Sequence, residues 1–172
     1  MKSYKIKKNS HYSGFHFRPF LCASTLSFNF TFNDSCKYDL HNIDQYDINK
    51  LTGLSFGYHH NNSIRLGWRY NTQTSQIDLY PYIYYLSNKP KGYLVPVIAS
   101  VNINEKVFGK IIRSKNSYRI MLYNKTEIIA DYLFEIDSDI IPNVGYILFP
   151  YFGGNMKAPH DITIQLDFDI IK

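Results

Sequence analysis

A chain of 172 residues can bury one well-filled core and leaves little room for a second independent domain. Its net charge of +5 is concentrated only at the opening Lys2, Lys5, Lys7 and Lys8 and is otherwise dispersed, which argues against the basic element of a nucleic-acid binder. No stretch approaches the roughly 18 continuous apolar residues of a membrane span, so neither nucleic acid nor a bilayer is an expected partner.

Sixteen Tyr and 12 Phe beside a single Trp favour strands, although the abundance of Asn, Ile, Lys and Tyr also follows AT-rich codons. Residues 1–23 read as a basic N-terminal segment, partly ordered or forming an edge strand, ahead of a single β-sandwich domain over 24–172. The opening lacks the apolar run of a secretory signal, so the chain reads as soluble, cytoplasmic or virion-associated, with no compartment assigned. Cys22 and Cys36 have no metal-ligand spacing and read as two separate thiols.

Period-two alternation then runs through the chain, with no sustained recurrence at three and four residues. Residues 26–32 place Leu26, Phe28, Phe30 and Phe32 on one face of a strand. The polar stretch 33–50 reads as a long loop with one helical turn. Segments 63–70 and 76–85 both alternate and are joined by the polar 71–75, which predicts a hairpin. Further strands are expected at 94–103, 106–112, 117–123, 127–134, 145–152 and 161–171. Many short strands, frequent turn signals and no helices indicate an all-β fold, a two-sheet antiparallel β-sandwich.

The hairpin's faces follow from parity. Ile64, Leu66, Trp68 and Tyr70 belong with Ile77, Leu79, Pro81 and Ile83 against the core. The opposite face then carries Arg65 and Arg69 beside Asp78, Tyr80, Tyr82 and Tyr84. Both apolar sets can share a side only in registers such as Arg69 opposite Asp78, or Arg65 opposite Tyr80. Pro81 cannot donate to a ladder, so its strand is expected at an edge or bulged there.

The run 47–53, the stretch His59-His60-Asn61-Asn62-Ser63 and the closing Pro150-Tyr151-Phe152-Gly153-Gly154-Asn155 with Ala158-Pro159-His160-Asp161-Ile162 resemble a group of uncharacterised bacterial and phage-encoded proteins. That likeness covers roughly residues 28–168 and implies no activity. In plan, an aromatic-glycine strand at 146–154 followed by an apolar strand at 161–170 resembles the jelly-roll, concanavalin-like proteins, which include lectins, laminin-G modules, glycosidases and polysaccharide lyases. The resemblance implies a sheet face that contacts sugar. The Glu-x-Asp-x-x-Glu run of family 16 glycosidases is absent, as is the Gln-x-His strand with the Tyr-x-Lys signature of the lyases.

The candidate ligand-binding residues are therefore Arg65, Arg69, Asp78, Tyr80, Tyr82 and Tyr84. Aromatic rings cover the C–H patches of a sugar, and Arg or Asp fixes hydroxyls or a carboxylate. His59, His60 and His160 join them, since in a sandwich the loops carrying them are expected to meet at one edge. No catalytic set or metal set is assigned and no cofactor is called for. The loosely spaced Asp39, Asp44 and Asp47 leave only a calcium site open. The reading is a non-catalytic glycan-binding or attachment module. One alternative is a structural subunit of a phage or surface assembly, with protein partners or copies of itself. The other is a polysaccharide lyase or glycosidase.

Overall fold

The computed structural model describes residues 1–86, 88, 95–125, 127–136 and 141–171. Two antiparallel sheets face each other as a jelly-roll sandwich. In spatial order, the first sheet contains β1 (Lys2–Ile6), β12 (Ile162–Ile171), β3 (Thr25–Phe32), β8 (Lys106–Arg113), β9 (Ser117–Asn124) and β10 (Glu127–Glu135). The second contains β2 (Pro19–Leu21), β11 (Val144–Leu148), β4 (Asn49–Phe56), β5 (Ser63–Asn71), β6 (Gln76–Tyr84) and β7 (Ala99–Val101). The late strands β11 and β12 thus insert between early ones, one in each sheet. Two short 3₁₀ turns, Asp34–Cys36 and Ile43–Tyr46, interrupt the β3–β4 connection. No helix among the described residues is long and apolar enough to cross a membrane.

Strict alternation sets the inner layer. In β3 every second residue is buried, and Leu26, Phe28, Phe30 and Phe32 meet Ile64, Leu66 and Trp68 from the opposing sheet in one core. The β5–β6 hairpin forms with Arg69 opposite Asp78, Trp68 opposite Leu79 and Leu66 opposite Pro81, the first of the two expected registers. Only this register family keeps both apolar sets inside, because a slip of one residue would turn every side chain over. Strand β7 pairs with β6 only from Ile77 to Leu79, so Pro81 lies beyond the end of that ladder, where no N–H is needed.

Three expectations about strand limits are corrected. The loop read over 33–50 ends earlier, because β4 begins at Asn49 and runs to Phe56. All eight of its residues are buried, so the alternation that marks a half-exposed strand is absent from its sequence. At the other end, the strand expected over 145–152 stops at Leu148, two residues before Pro150, and Gly153 turns the chain with φ +74°. The strand expected over 94–103 is seen as Ala99–Val101, and residue 94 lies outside the described residues. Both cysteines are free thiols, Cys22 exposed and Cys36 buried.

The N-terminal residues take part in both sheets. Strand β1 pairs with β12, β2 pairs with β11, and between them Tyr12 bridges to Tyr151. Residues 7–18 are thereby stretched from the edge of one sheet to the edge of the other, across the end of β11.

Candidate functional site

The site is built on the outward face of the second sheet. Cross-strand pairing puts Leu148, Gly53, Arg65 and Tyr82 in one row and Tyr146, Ser55, Ser63 and Tyr84 in the next. Within these two rows the positions on the two middle strands are small, Gly53 and Ser55 on β4 and Ser63 on β5, apart from Arg65. Tyrosines stand on the flanking strands. A sheet face with small residues along its middle and large rings at its sides is a trough, with the Arg65 side chain on its floor.

Loops raise the walls of this trough into a cleft of about 710 Å³. Tyr12, His16 and Phe17 line it from the N-terminal crossing, Tyr58, His59 and His60 from the β4–β5 turn, and residues 149–151 and 153–155 from the chain after β11. The rings brace one another. Tyr12 meets Tyr151 edge-on at 5.1 Å, His11 stacks on Tyr151 at 5.1 Å, and His60 stacks on Tyr84 at 5.2 Å. Tyr12, Phe17 and Tyr58 form an exposed aromatic rim, each with more than half its surface in solvent.

Lys50 holds the far wall. Its ammonium donates to the Gly153 carbonyl at 2.9 Å and lies over the Tyr82 ring at 4.6 Å and the Tyr151 ring at 5.3 Å. The neighbouring Asn49 accepts from the Gly153 N–H and donates to the Tyr38 hydroxyl at 2.8 Å. Asp47, the carboxylate of the cleft, accepts from the N–H groups of Gly154 and Asn155. Ile48 lies flat on the sheet because Gly67 has no side chain: a Cβ there would come within 2.4 Å of Ile48 Cγ2.

The nine residues singled out in the sequence divide into three groups. His59, His60, Arg65, Tyr82 and Tyr84 line the cleft. Arg69, Asp78 and Tyr80 share its sheet face farther along but lie outside it, and Asp78 and Tyr80 are buried. There the Arg69 guanidinium sits between the rings of Tyr46 and Tyr80, with Asp78 at 3.7 Å, while Asp78 also accepts from Ser100 and Asn71. The 3₁₀ turn Ile43–Tyr46 and Ile48 cover this half, so the face is open at one end only. His160 is elsewhere. Its Nε2 bonds the Ser35 carbonyl at 2.8 Å beside the start of β12, at the end of the sandwich where β4 begins, whereas His59 follows the end of β4. The two histidine loops do not meet.

Tyr12, Phe17, Lys50, Tyr58, Tyr146 and Tyr151 are not among the candidate residues of the sequence, and Asp47 is there only as a calcium ligand. The small outward residues Gly53, Ser55 and Ser63 are the signal that could have located the trough, once β4 is recognised as a strand.

The polar groups of the cleft are electrostatically distinct. Burial pushes the Tyr82 phenol well up. His59 shares a 2.9 Å hydrogen bond between Nδ1 and the Tyr146 hydroxyl. Burial, with the charge of Arg65 and the nearby His60 adding to it, lowers its pKa to about 4. A neutral imidazole bonded to a phenol is equipped to accept or relay a proton. In the unfolded chain the same imidazole takes a proton near pH ~6.5, so between that value and about 4 the unfolded state binds more protons. The His59 contribution to stability is therefore fully present above pH ~6.5 and declines as the pH falls toward about 4. An NMR titration should leave the His59 ring signals unmoved from about pH 8 to about pH 5, and a midpoint near ~6.5 would contradict this environment.

Among the described residues no group of three or more His, Cys, Asp or Glu side chains could hold a metal ion, so Asp39, Asp44 and Asp47 form no calcium cage. No protein-family model matches the sequence, and no curated protein matches it. Solved structures do match the fold. The chain is similar to a scytalido-glutamic peptidase, with a TM-score of 0.54 and 10% identity, over 96% of this chain and 81% of that one. The exoplasmic/lumenal domain of VIP36 in a Ca²⁺/Man3GlcNAc-bound form has a TM-score of 0.47 and 13% identity, over 91% and 72% of the two chains. The carbohydrate-binding module CBM66 from Bacillus subtilis has 0.40 and 11%, over 88% and 74%. At such identities the likeness concerns the fold alone. The chain is a β-sandwich of the jelly-roll kind.

Proposed function

We propose that the chain is a glycan-binding module whose site is the cleft over β11, β4, β5 and β6. The observation that carries this reading is the trough itself. Flat rings stand on both sides of a floor of small residues, polar groups lie between them, and the volume of about 710 Å³ falls within the range of small-molecule sites. A pyranose presents apolar C–H faces to such rings and hydroxyls to the groups between them.

A glycan array followed by titration of a Tyr82→Ala variant tests it. Selective retention of a subset of oligosaccharides is expected, with affinity falling about tenfold or more in the variant, since its ring forms one wall of the cleft. Absence of binding to every glycan, or equal binding by the variant, would contradict the reading.

A further inference from the structure

Arg65 is a buried cation with no counterion among the described residues. Its residue is 8% exposed, its Nε is buried and makes no hydrogen bond, and it takes part in none of the salt bridges among the described residues. The contrast with Arg69, two residues on and on the same face, is direct. Arg69 has Asp78 at 3.7 Å, a carbonyl and two rings, whereas Arg65 is surrounded by the tyrosine side chains 82, 84, 146 and 151. Phenols are weak neutral partners for a guanidinium, and burial presses on the charge hard enough to lower its pKa. Even so, Arg retains its proton in proteins.

Taking an isolated charge out of water is strongly unfavourable, and packing alone does not return that cost. Such a group is kept where a ligand completes it. Its guanidinium lines the cleft, and Lys50 brings a second positive charge to the same cavity. Asp47 is the one carboxylate among the described residues lining it, and it is turned onto the N–H groups of Gly154 and Asn155. Among the described residues of the cleft, Arg65 therefore has no carboxylate turned toward it.

We propose that the cleft selects glycans bearing an oxyanion, and that Arg65 on its floor receives that group. The planar fork of a guanidinium matches a carboxylate or a sulfate with two parallel hydrogen bonds. The inference rests on the glycan-binding reading and names the ligand class for that same site.

The test prints uronate-, sialate- and sulfate-bearing oligosaccharides beside the same compounds methyl-esterified or desulfated. Binding should be confined to charged members and weaken about 30-fold or more when the charge is masked, the loss expected for removing one partner of a buried ion pair. Comparison of the carboxylate and sulfate sets then identifies the source of the oxyanion. Binding that survives masking, or that is restricted to neutral glycans, overturns the inference while the glycan reading stands. Binding to no glycan defeats both.

Arg65→Met supplies an independent arm. If Arg65 serves a ligand, the ligand-free variant should melt at the same temperature as the parent or higher, and should lose retention of the charged glycans. If Arg65 holds the fold together, the variant melts several degrees lower, and the assignment is overturned.

Discussion

Trp68→Ala is expected to lower the unfolding free energy by about 3–5 kcal/mol, a large share of the stability of a typical domain. Strand parity turns Trp68 inward with Ile64 and Leu66, and the ring is fully buried. It lies 5.0 Å from the Phe32 ring of the opposing sheet and edge-on to Tyr38 and Phe152 at 6.0 and 6.3 Å. It therefore spans both sheets and the chain segment after β11. Truncation leaves a void that aromatic neighbours on three sides cannot fill. Equilibrium urea unfolding followed by far-ultraviolet circular dichroism measures the loss. Because the ring faces away from the cleft, parent fluorescence should be blue-shifted and unaltered by a saturating glycan. A red-shifted, readily quenched emission would mean that the hairpin faces are inverted.

Asn49→Ala should cost about 2–6 kcal/mol, from two buried partners left without a bond at about 1–3 kcal/mol each. The Asn49 side chain joins the Tyr38 hydroxyl to the Gly153 N–H, and the residue is 1% exposed. Since Gly153 also holds the Lys50 ammonium, the substitution should loosen the cleft wall as well as the fold. Thermal melting reads the first effect, and amide exchange at residues 151–155 reads the second. A variant as stable as the parent would show that the Asn49 bridge contributes little.

The hairpin was legible because two strict alternations had to place their apolar sets on one side. That condition narrows the register to the Arg69–Asp78 pairing or its neighbour and turns Trp68 inward without any structure. Strand β4 was not legible, since the covering loops bury both of its faces and erase the period-two signal. With β4 unseen, Gly53 and Ser55 had no place, and the trough could not be drawn. Parity also treats Arg65 and Arg69 as equals. Only the fold reveals that the 3₁₀ turn at 43–46 covers the end that holds Arg69, and that the other end stays open over Arg65. The N-terminal wall carries no periodicity because it crosses between sheets instead of running within one. His160 shows the converse error: proximity in the sandwich was inferred from its place before a strand, but β12 and β5 begin at opposite ends.

Hydrogen–deuterium exchange of the protein with an array-selected oligosaccharide tests the central claim most directly. The cleft site predicts slowed exchange in three separated segments, residues 12–17, 53–60 and 146–155, which meet only around Arg65 and Tyr82. Protection confined to β8–β10 on the opposite sheet, or none at saturating glycan, would contradict it.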